Sequence, residues 1–437
     1  YRTKKYRTKK YRTKKYRTKK YRTTKKYRIQ KAGADNGESI QLLIDVDTGP
    51  DDALALILAR DQNIIGITAS DGNVPVDIAY TNTKKVMSKL GWDGLKIIKG
   101  KPYDSKCKCQ GRHWGKEFIF EKSEEQNEKK EPNEKKEPYS EAAYFIVDLI
   151  SKPDIKPKSI TWVLLGPLTI VLESYNLFII NGNETKSFAH AFKKIVVMGG
   201  LVDQQLWKDK HPNDPLPDGA EFNLRADKDA SKFLFTNKIW KDTPIILVPL
   251  DPVVNNPFEF SNLPNLPSFV KTILDQDITQ ISGNKTYEIY DVYAMAIAIN
   301  KNIGTAKKSK YYIDSNIQIL KEGSAESGIP SGIPSGIPSG IPSGINPMND
   351  KVEVILDINY DTFKEMFNES LESLESLESL KFKGKQTFEE IQNFWAKLSK
   401  NNNIVKYRDW VICIDKLFSF LCVYIDSMSL LILHFFN

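Results

Sequence analysis

The stretch LLIDVDTGPDDALALILAR, residues 42–60, decides the fold of this chain. Its first apolar run lacks polar alternation, which is typical of a strand buried on both faces of a parallel sheet. Its second apolar run opens a helix whose first turn holds Asp51 and Asp52. The positive end of a helix dipole favours anions at that position. The stretch therefore predicts a buried strand that turns directly into a helix.

Four carboxylates lie within eight positions of this turn, at Asp45, Asp47, Asp51 and Asp52. Two unit charges about 4 Å apart repel by roughly 4 kcal/mol near a protein surface, so a folded cluster of this density calls for a cation. Carboxylate oxygens prefer hard ions such as Ca²⁺ or Mg²⁺. The whole chain has only four histidines, which argues against a histidine-rich transition-metal site.

Apolar runs and helical patterns alternate along the rest of the chain. This alternation predicts an α/β fold with a mostly parallel central sheet flanked by helices. The predicted strands are 40–44, 64–69, 160–165, 194–198 and 244–249, and the predicted helices lie near 51–60, 77–90, 140–151, 167–174 and 227–235. Ligands bind beyond the carboxyl ends of the strands in such sheets, and Asp47, Asn73, Leu165 and Asp251 all fall at that edge.

Charge is distributed unevenly between the N-terminus and the body. The chain carries 63 basic and 55 acidic residues, a formal net charge of +8. Residues 1–31 hold 17 of the basic residues and no acid, so the remainder is net acidic. We expect residues 1–38 to form a disordered basic arm that makes at most weak polyanion contact through residues 1–31.

Low-complexity repeats interrupt the sequence further along. The repeats predict insertions at 121–138, 327–346 and 370–380 within a domain spanning 39–400, because compact domains tolerate long loops. The SLE repeat from Ser370 suits an extension of a helix that begins near Tyr360. Residues 401–437 form an apolar tail, in which 417–436 is about long enough to span a membrane but carries Asp426 in its middle.

The four cysteines are too few and too unevenly spaced for a disulfide framework. The N-terminus shows no secretory leader pattern. We therefore expect a cytoplasmic protein with reduced thiols.

Six motifs occur in the order found in the nucleoside hydrolase family, which the chain resembles over residues 39–367. The opening D-x-D-P-G-x-D-D motif of that family is matched with Thr48 in place of Pro. The matched segments are DVDTGPDDALAL at 45–56, DGN ending at Asn73, GPLT at 166–169, VVMGG at 196–200, DGAEFN at 218–223 and YDVYAMAIAI at 290–299. The resemblance implies one large domain with a Rossmann-like core and a Ca²⁺ cofactor.

The resemblance also implies residue roles. Asp47 would be the general base and a metal ligand. Asp52, Asp291 and the main-chain carbonyl of Leu165 would complete the metal site. The residues expected to bind the ribose are Asp51, Asn73, Met198, Glu221 and Asn223.

The residues that would activate the leaving base match the family pattern less well than the other motifs do. Many family members place a His immediately before the late Asp, where this chain has Tyr290. Members selective for purine nucleosides (the inosine-adenosine-guanosine type) carry aromatic residues there and in an earlier loop, and Trp114 fits that loop. Two stacked rings favour the larger purine surface. His113 could instead donate a proton to the base.

These features predict a Ca²⁺-dependent hydrolase of purine ribonucleosides. The resemblance further implies a homo-oligomer, a dimer or a tetramer. A broad or pyrimidine-accepting hydrolase is the alternative within the family. A non-catalytic ligand-binding protein docked to a polyanion by its basic arm is the alternative outside it. Haloacid-dehalogenase phosphatases also begin with an apolar strand followed by D-x-D. They need a Ser or Thr at the end of a later strand, whereas the predicted strand 160–165 ends in Leu165, before GPLT.

Overall fold

The computed structural model describes residues 40–92, 94–102, 117–118, 138–213, 216, 219–260, 266–277, 286–306, 309–324, 329, 331 and 341–374. The predicted basic arm 1–38, nearly all of the insertion 121–138 and the apolar tail 401–437 lie outside these residues. Residues 327–346 and 370–380 are described only in part.

An eight-stranded sheet forms the centre of the molecule, in the order β3-β2-β1-β4-β5-β6-β13-β9. Seven neighbouring strands run parallel, and β9 pairs with β13 in the antiparallel sense at one edge. These strands are β1 (Gln41–Val46), β2 (Asn63–Ala69), β3 (Ile97–Lys99), β4 (Ile160–Leu164), β5 (Phe192–Met198), β6 (Ile245–Val248), β9 (Gly304–Ala306) and β13 (Val352–Ile358). The mostly parallel α/β sheet predicted from the sequence is confirmed.

Five further short strands make two small antiparallel sheets. They are β7 (Phe258–Glu259), paired with β8 (Thr286–Tyr287), and β10 (Tyr311–Ile313), which lies between β11 (Ile319–Lys321) and β12 (Asn346–Pro347).

Helices connect the parallel strands and cover both faces of the sheet. They are α1 (Pro50–Leu58), α2 (Val76–Leu90), α3 (Glu141–Ile150), α4 (Thr169–Ile180), α5 (Thr185–His190), α6 (Gln204–Lys210), α7 (Phe222–Ala226), α8 (Lys228–Thr236), α9 (Asp251–Asn255), α10 (Ser268–Asp277), α11 (Tyr290–Ile299) and α12 (360–374). The helix expected to begin near Tyr360 is present, and residues 370–374 of the SLE repeat belong to it.

Two hydrophobic clusters lie on opposite faces of the sheet, and β1 contributes to both. Leu42, Ile44 and Val46 belong to one cluster, whereas Leu43 belongs to the other. Because successive side chains of a strand point to opposite faces, a strand covered on both sides must be apolar at nearly every position. This requirement explains the unbroken apolar run at the start of residues 42–60.

Within the described residues, every helix is too short or too polar to cross a membrane. Residues 417–436 lie outside the described residues.

Candidate metal and nucleoside site

The candidate site lies at the carboxyl edge of the central sheet, where several chain segments meet. Asp47 follows β1 directly, Leu165 follows β4, and Met198 is the last residue of β5. Asp51 and Asp52 occupy the first turn of α1. Since parallel strands end at the same edge, the sheet brings together side chains that are distant in sequence.

Asp47 is held tightly between neighbouring loops. Its Oδ2 accepts a hydrogen bond of 2.6 Å from the backbone N–H of Asn73, and the Asn73 side-chain amide lies 3.3 Å from Oδ1. Two glycines leave room for the carboxylate, because a methyl carbon on Gly72 would lie 1.8 Å from Oδ2 and one on Gly166 would lie 3.1 Å from the Asp47 Cβ. The DGN and GPLT motifs therefore shape the space around Asp47.

Three further carboxylates form an acidic cluster beside Asp47. Oxygen atoms of Asp51, Asp52 and Asp291 all lie within 4.8 Å of one another. Asp52 and Asp291 are buried, and Asp291 comes from the first turn of α11, which packs against α1. This is a candidate metal site, because a cation can hold apart or bridge oxygen atoms that would otherwise repel one another.

The chemistry of the donor set fits a hard cation. Asp52 Oδ2 accepts a hydrogen bond of 2.9 Å from the Gly49 N–H, whereas buried Oδ1 of the same side chain accepts none from any described donor. Burial raises the pKa of Asp47, Asp52 and Asp291, and repulsion from neighbouring carboxylates adds to the shift. Without a cation, the folded protein would therefore resist full ionisation of the cluster.

Three of the expected ribose-binding residues, Met198, Glu221 and Asn223, are linked by hydrogen bonds to the segments that follow β4 and β5. The Asn223 side-chain amide donates to the Leu165 carbonyl at 2.6 Å and lies 3.1 Å from the Met198 sulfur. Glu221 caps α7 by accepting the N–H groups of Asn223 and Leu224 at 2.7 and 3.1 Å, and it also accepts the Gly200 N–H at 3.0 Å. These bonds fix the positions of the AEFN residues relative to the MGG loop.

Tyr290 borders the same region. Burial raises the pKa of its phenol, and the nearby charges of Glu288, Asp51 and Glu221 raise it further. Its hydroxyl donates to Glu288 at 2.5 Å. The phenol thus contacts Glu288 and lies close enough to Asp51 and Glu221 for their charges to act on it.

The structure brings together the carboxylates named from the motifs, with Asn73 between Asp47 and Asp52. Trp114 and His113 lie outside the described residues. Glu288, His211 and Trp207 were not anticipated; His211 directly follows α6 and lies four residues after Trp207 of that helix.

Comparisons with known proteins identify the family and the fold of this chain. Residues 42–365 match the family described as inosine-uridine preferring nucleoside hydrolase. The pyrimidine-specific ribonucleoside hydrolase RihB of Escherichia coli O9:H4 is 24% identical over 223 residues, which cover 49% of this chain and 60% of RihB. The chain spans between 53% and 61% of the length of the first curated relatives that it matches.

Solved structures share the fold. A purine-preferring ribonucleoside hydrolase from Gardnerella vaginalis has a TM-score of 0.54 and 19% identity, covering 77% of this chain and 99% of that chain. An inosine-guanosine nucleoside hydrolase has a TM-score of 0.54 and 20% identity, with coverage of 76% and 98%. Since the family match includes the whole carboxylate cluster and most of the described sheet, the chain belongs to the inosine-uridine preferring nucleoside hydrolase family.

Proposed function

We propose that the protein hydrolyses the N-glycosidic bond of purine ribonucleosides, releasing free base and ribose with the aid of Ca²⁺. The observation that carries this proposal is the acidic cluster of Asp51, Asp52 and Asp291 beside Asp47. Family membership supports the same reaction class.

Asp47 is the general base that takes a proton from the attacking water. A general base works best when its pKa lies near the operating pH, and burial raises the pKa of this carboxyl above its ordinary value. The N–H of Asn73 holds Oδ2 at 2.6 Å, so the carboxylate is oriented before substrate arrives. Positive charge grows on the ribose as the bond breaks, and the surrounding carboxylates stabilise it.

The oxygen donors of Asp47, Asp52, Asp291 and the Leu165 carbonyl would hold Ca²⁺. When bound, Ca²⁺ supplies chelation of the ribose diol and a lower pKa for its bound water. A carbonyl oxygen has two lone pairs, so Leu165 can keep the hydrogen bond from Asn223 and still serve as a ligand.

The ribose hydroxyls are bound by Asp51, Asn73, Glu221 and Asn223, with Met198 lining the sugar site. Asn73 and Asn223 present amide groups that can donate to sugar oxygens, whereas Asp51 and Glu221 present acceptors. This arrangement favours ribose over 2′-deoxyribose, because a missing hydroxyl leaves buried polar groups unpaired.

The base is activated by stacking between Tyr290 and Trp114, with His113 as the other candidate donor. The aromatic residue before Asp291 supports the purine assignment. The pyrimidine specificity of RihB favours a second candidate, a broad or pyrimidine-accepting hydrolase.

The test is release of free base from inosine, guanosine, adenosine, uridine and cytidine, measured with Ca²⁺ and after chelation. Asp47→Ala is compared with Asp154→Ala, which alters an exposed aspartate in the loop before β4 at the opposite edge of the sheet. Calorimetric titration with Ca²⁺ provides a readout that does not depend on turnover.

We expect purine release that disappears on chelation and in Asp47→Ala, while Asp154→Ala behaves as the wild type. Equal turnover of uridine would overturn the purine assignment and leave the family reaction intact. Ca²⁺ binding without turnover of any nucleoside would favour the ligand-binding alternative.

A further inference from the structure

A hydrogen-bond network links Tyr290 to the end of α6 through a single carboxylate, that of Glu288. The Tyr290 hydroxyl donates to Glu288 Oε2 at 2.5 Å. The His211 Nε2 lies 2.9 and 3.0 Å from the two oxygens of the same carboxylate. Glu288 therefore joins a residue at the start of α11 to a residue just beyond the end of α6.

At the His211 end of this hydrogen-bond network, two aromatic rings stack on each other. The imidazole stacks on the Trp207 ring with a centroid distance of 3.9 Å and an interplanar angle of 21°. Trp207 is buried, and the Nδ1 atom of His211 is buried without a hydrogen-bond partner among the described residues. Among the described residues, the Glu288 carboxylate is therefore the hydrogen-bond partner of this imidazole.

The Tyr290 end of the hydrogen-bond network borders the candidate site. Tyr290 directly precedes Asp291, whose backbone N–H lies 3.5 Å from Asp51 Oδ2. The phenol is close enough to Asp51 and Glu221 to be influenced by both charges. A ring in this position can face a base whose ribose is held by those carboxylates.

We infer that Glu288 is a positioning residue that holds Tyr290 and the His211–Trp207 stack together as one wall of the base site. This inference rests on the proposed function and extends it to base recognition. A tyrosine ring held by its hydroxyl keeps one orientation, so stacking on the base costs less conformational entropy. The carboxylate acts through Tyr290 and His211 and does not itself touch the substrate.

The experiment compares purine nucleosides with 4-nitrophenyl β-ribofuranoside. The nitrophenolate leaves readily without stacking or protonation, whereas the ribose end of the two substrates is the same. A residue that positions the base wall affects nucleosides selectively, and a residue that only supports the fold affects both substrates. Steady-state kinetics on inosine and on the nitrophenyl riboside therefore separate the two roles.

For Glu288→Ala, we expect kcat/KM for inosine to fall by about 10- to 100-fold, the range for loss of a hydrogen bond to a charged group. Hydrolysis of the nitrophenyl riboside should stay within about twofold of the wild type, since the sugar site is unchanged. Glu288→Gln keeps an acceptor for the Tyr290 hydroxyl and should fall between Glu288→Ala and the wild type. Asp209→Asn, which alters an exposed carboxylate of α6, is the matched control.

A double-mutant cycle tests whether Glu288 acts through Tyr290. Tyr290→Phe keeps the ring and removes the hydroxyl, so adding it to Glu288→Ala should cost less than it does in the wild type. Additive losses would overturn the positioning role. Equal losses on inosine and the nitrophenyl riboside in folded Glu288→Ala or Glu288→Gln would overturn it as well. A wild-type protein that cleaves neither substrate would instead overturn the proposed function.

Discussion

At the residue scale, the surroundings of Asp47 depend on a glycine that leaves room for its carboxylate. Gly72 lies so close that a methyl carbon placed on it would be 1.8 Å from Asp47 Oδ2. The DGN motif identified Asn73 as a partner of this region, but the steric role of its glycine is visible only from the distance between the two loops.

Replacing Gly72 by Ala should displace the Asp47 carboxylate from its position against Asn73. A displacement of about 1 Å in a catalytic group can cost roughly 100-fold in rate, and we expect a loss of kcat of that order. Gly94→Ala is the matched control, because its added carbon would meet no atom within 4 Å. Steady-state kinetics with circular dichroism check this prediction, and a Gly72→Ala variant with wild-type kcat would contradict it.

Asp45 is a buried carboxyl whose protonation should make stability depend on pH. Burial raises its pKa from 3.8 to about 7, and hydrogen bonds from Thr68 and Ser70 oppose part of the shift. The folded protein therefore binds this proton more tightly than the unfolded chain. The resulting contribution to the free energy of unfolding is full below about pH 4, falls as the pH rises to about 7, and is lost above that value.

An Asp45→Asn substitution should remove this pH dependence. The amide cannot ionise, yet its oxygen can accept from Thr68 while its NH₂ donates to the Ser70 hydroxyl. In metal-free protein, we expect the variant to gain stability relative to the wild type between pH 4 and pH 7, by at most about 4 kcal/mol. Urea unfolding across this pH range provides the measurement. A difference that stays constant with pH would contradict the role of Asp45.

At the element scale, the acidic cluster joins two helices that are remote in sequence. Asp51 and Asp52 begin α1, whereas Asp291 lies in the first turn of α11. Both helix N-termini direct positive dipole ends toward the cluster, which favours the ionised carboxylates. A cation bound here would therefore stabilise the packing of α1 against α11.

Adding Ca²⁺ should raise the melting temperature of the wild-type protein, because an ion that binds only the folded state stabilises it by about 2.7 kcal/mol at 100 times its Kd. Asp52→Asn and Asp291→Asn should weaken Ca²⁺ binding in calorimetry and reduce the thermal shift. The control Asp154→Asn should keep both. A full thermal shift in Asp291→Asn would show that α11 supplies no ligand.

Local sequence patterns predicted where strands and helices lie along the chain better than they predicted which strands are adjacent in the sheet. The predicted strand at 194–198 and helix at 227–235 correspond to β5 and α8, because apolar periodicity reports local burial. The position of β13 between β6 and β9 was not predicted, although β13 extends the parallel sheet. Sheet order depends on packing between segments that no local pattern records.

At the scale of the whole molecule, the basic arm and the acidic remainder have separate expected roles. Residues 1–31 carry the excess positive charge, while the candidate site lies entirely within the net acidic remainder. Deleting residues 1–31 should leave kcat/KM for inosine within about twofold and weaken retention on immobilised heparin at low salt. Loss of turnover in the truncated protein would contradict this separation and favour a docking role for the arm.

The sequence by itself determined the strand–turn–helix unit of residues 42–60 and the oxygen-rich character of its turn. These features are local, since the alternation of side chains along a strand and the helix dipole act within a few residues. Only the tertiary structure decided how close groups from distant segments come to this turn, since for Asp291 the sequence offered the family resemblance and no local pattern. Asp291 meets Asp51 across 240 positions, and His211 meets Glu288 across 77. Such contacts arise from the order of the sheet and the packing of α11 on α1, which bring together segments whose spacing in the sequence carries no record of their distance in space.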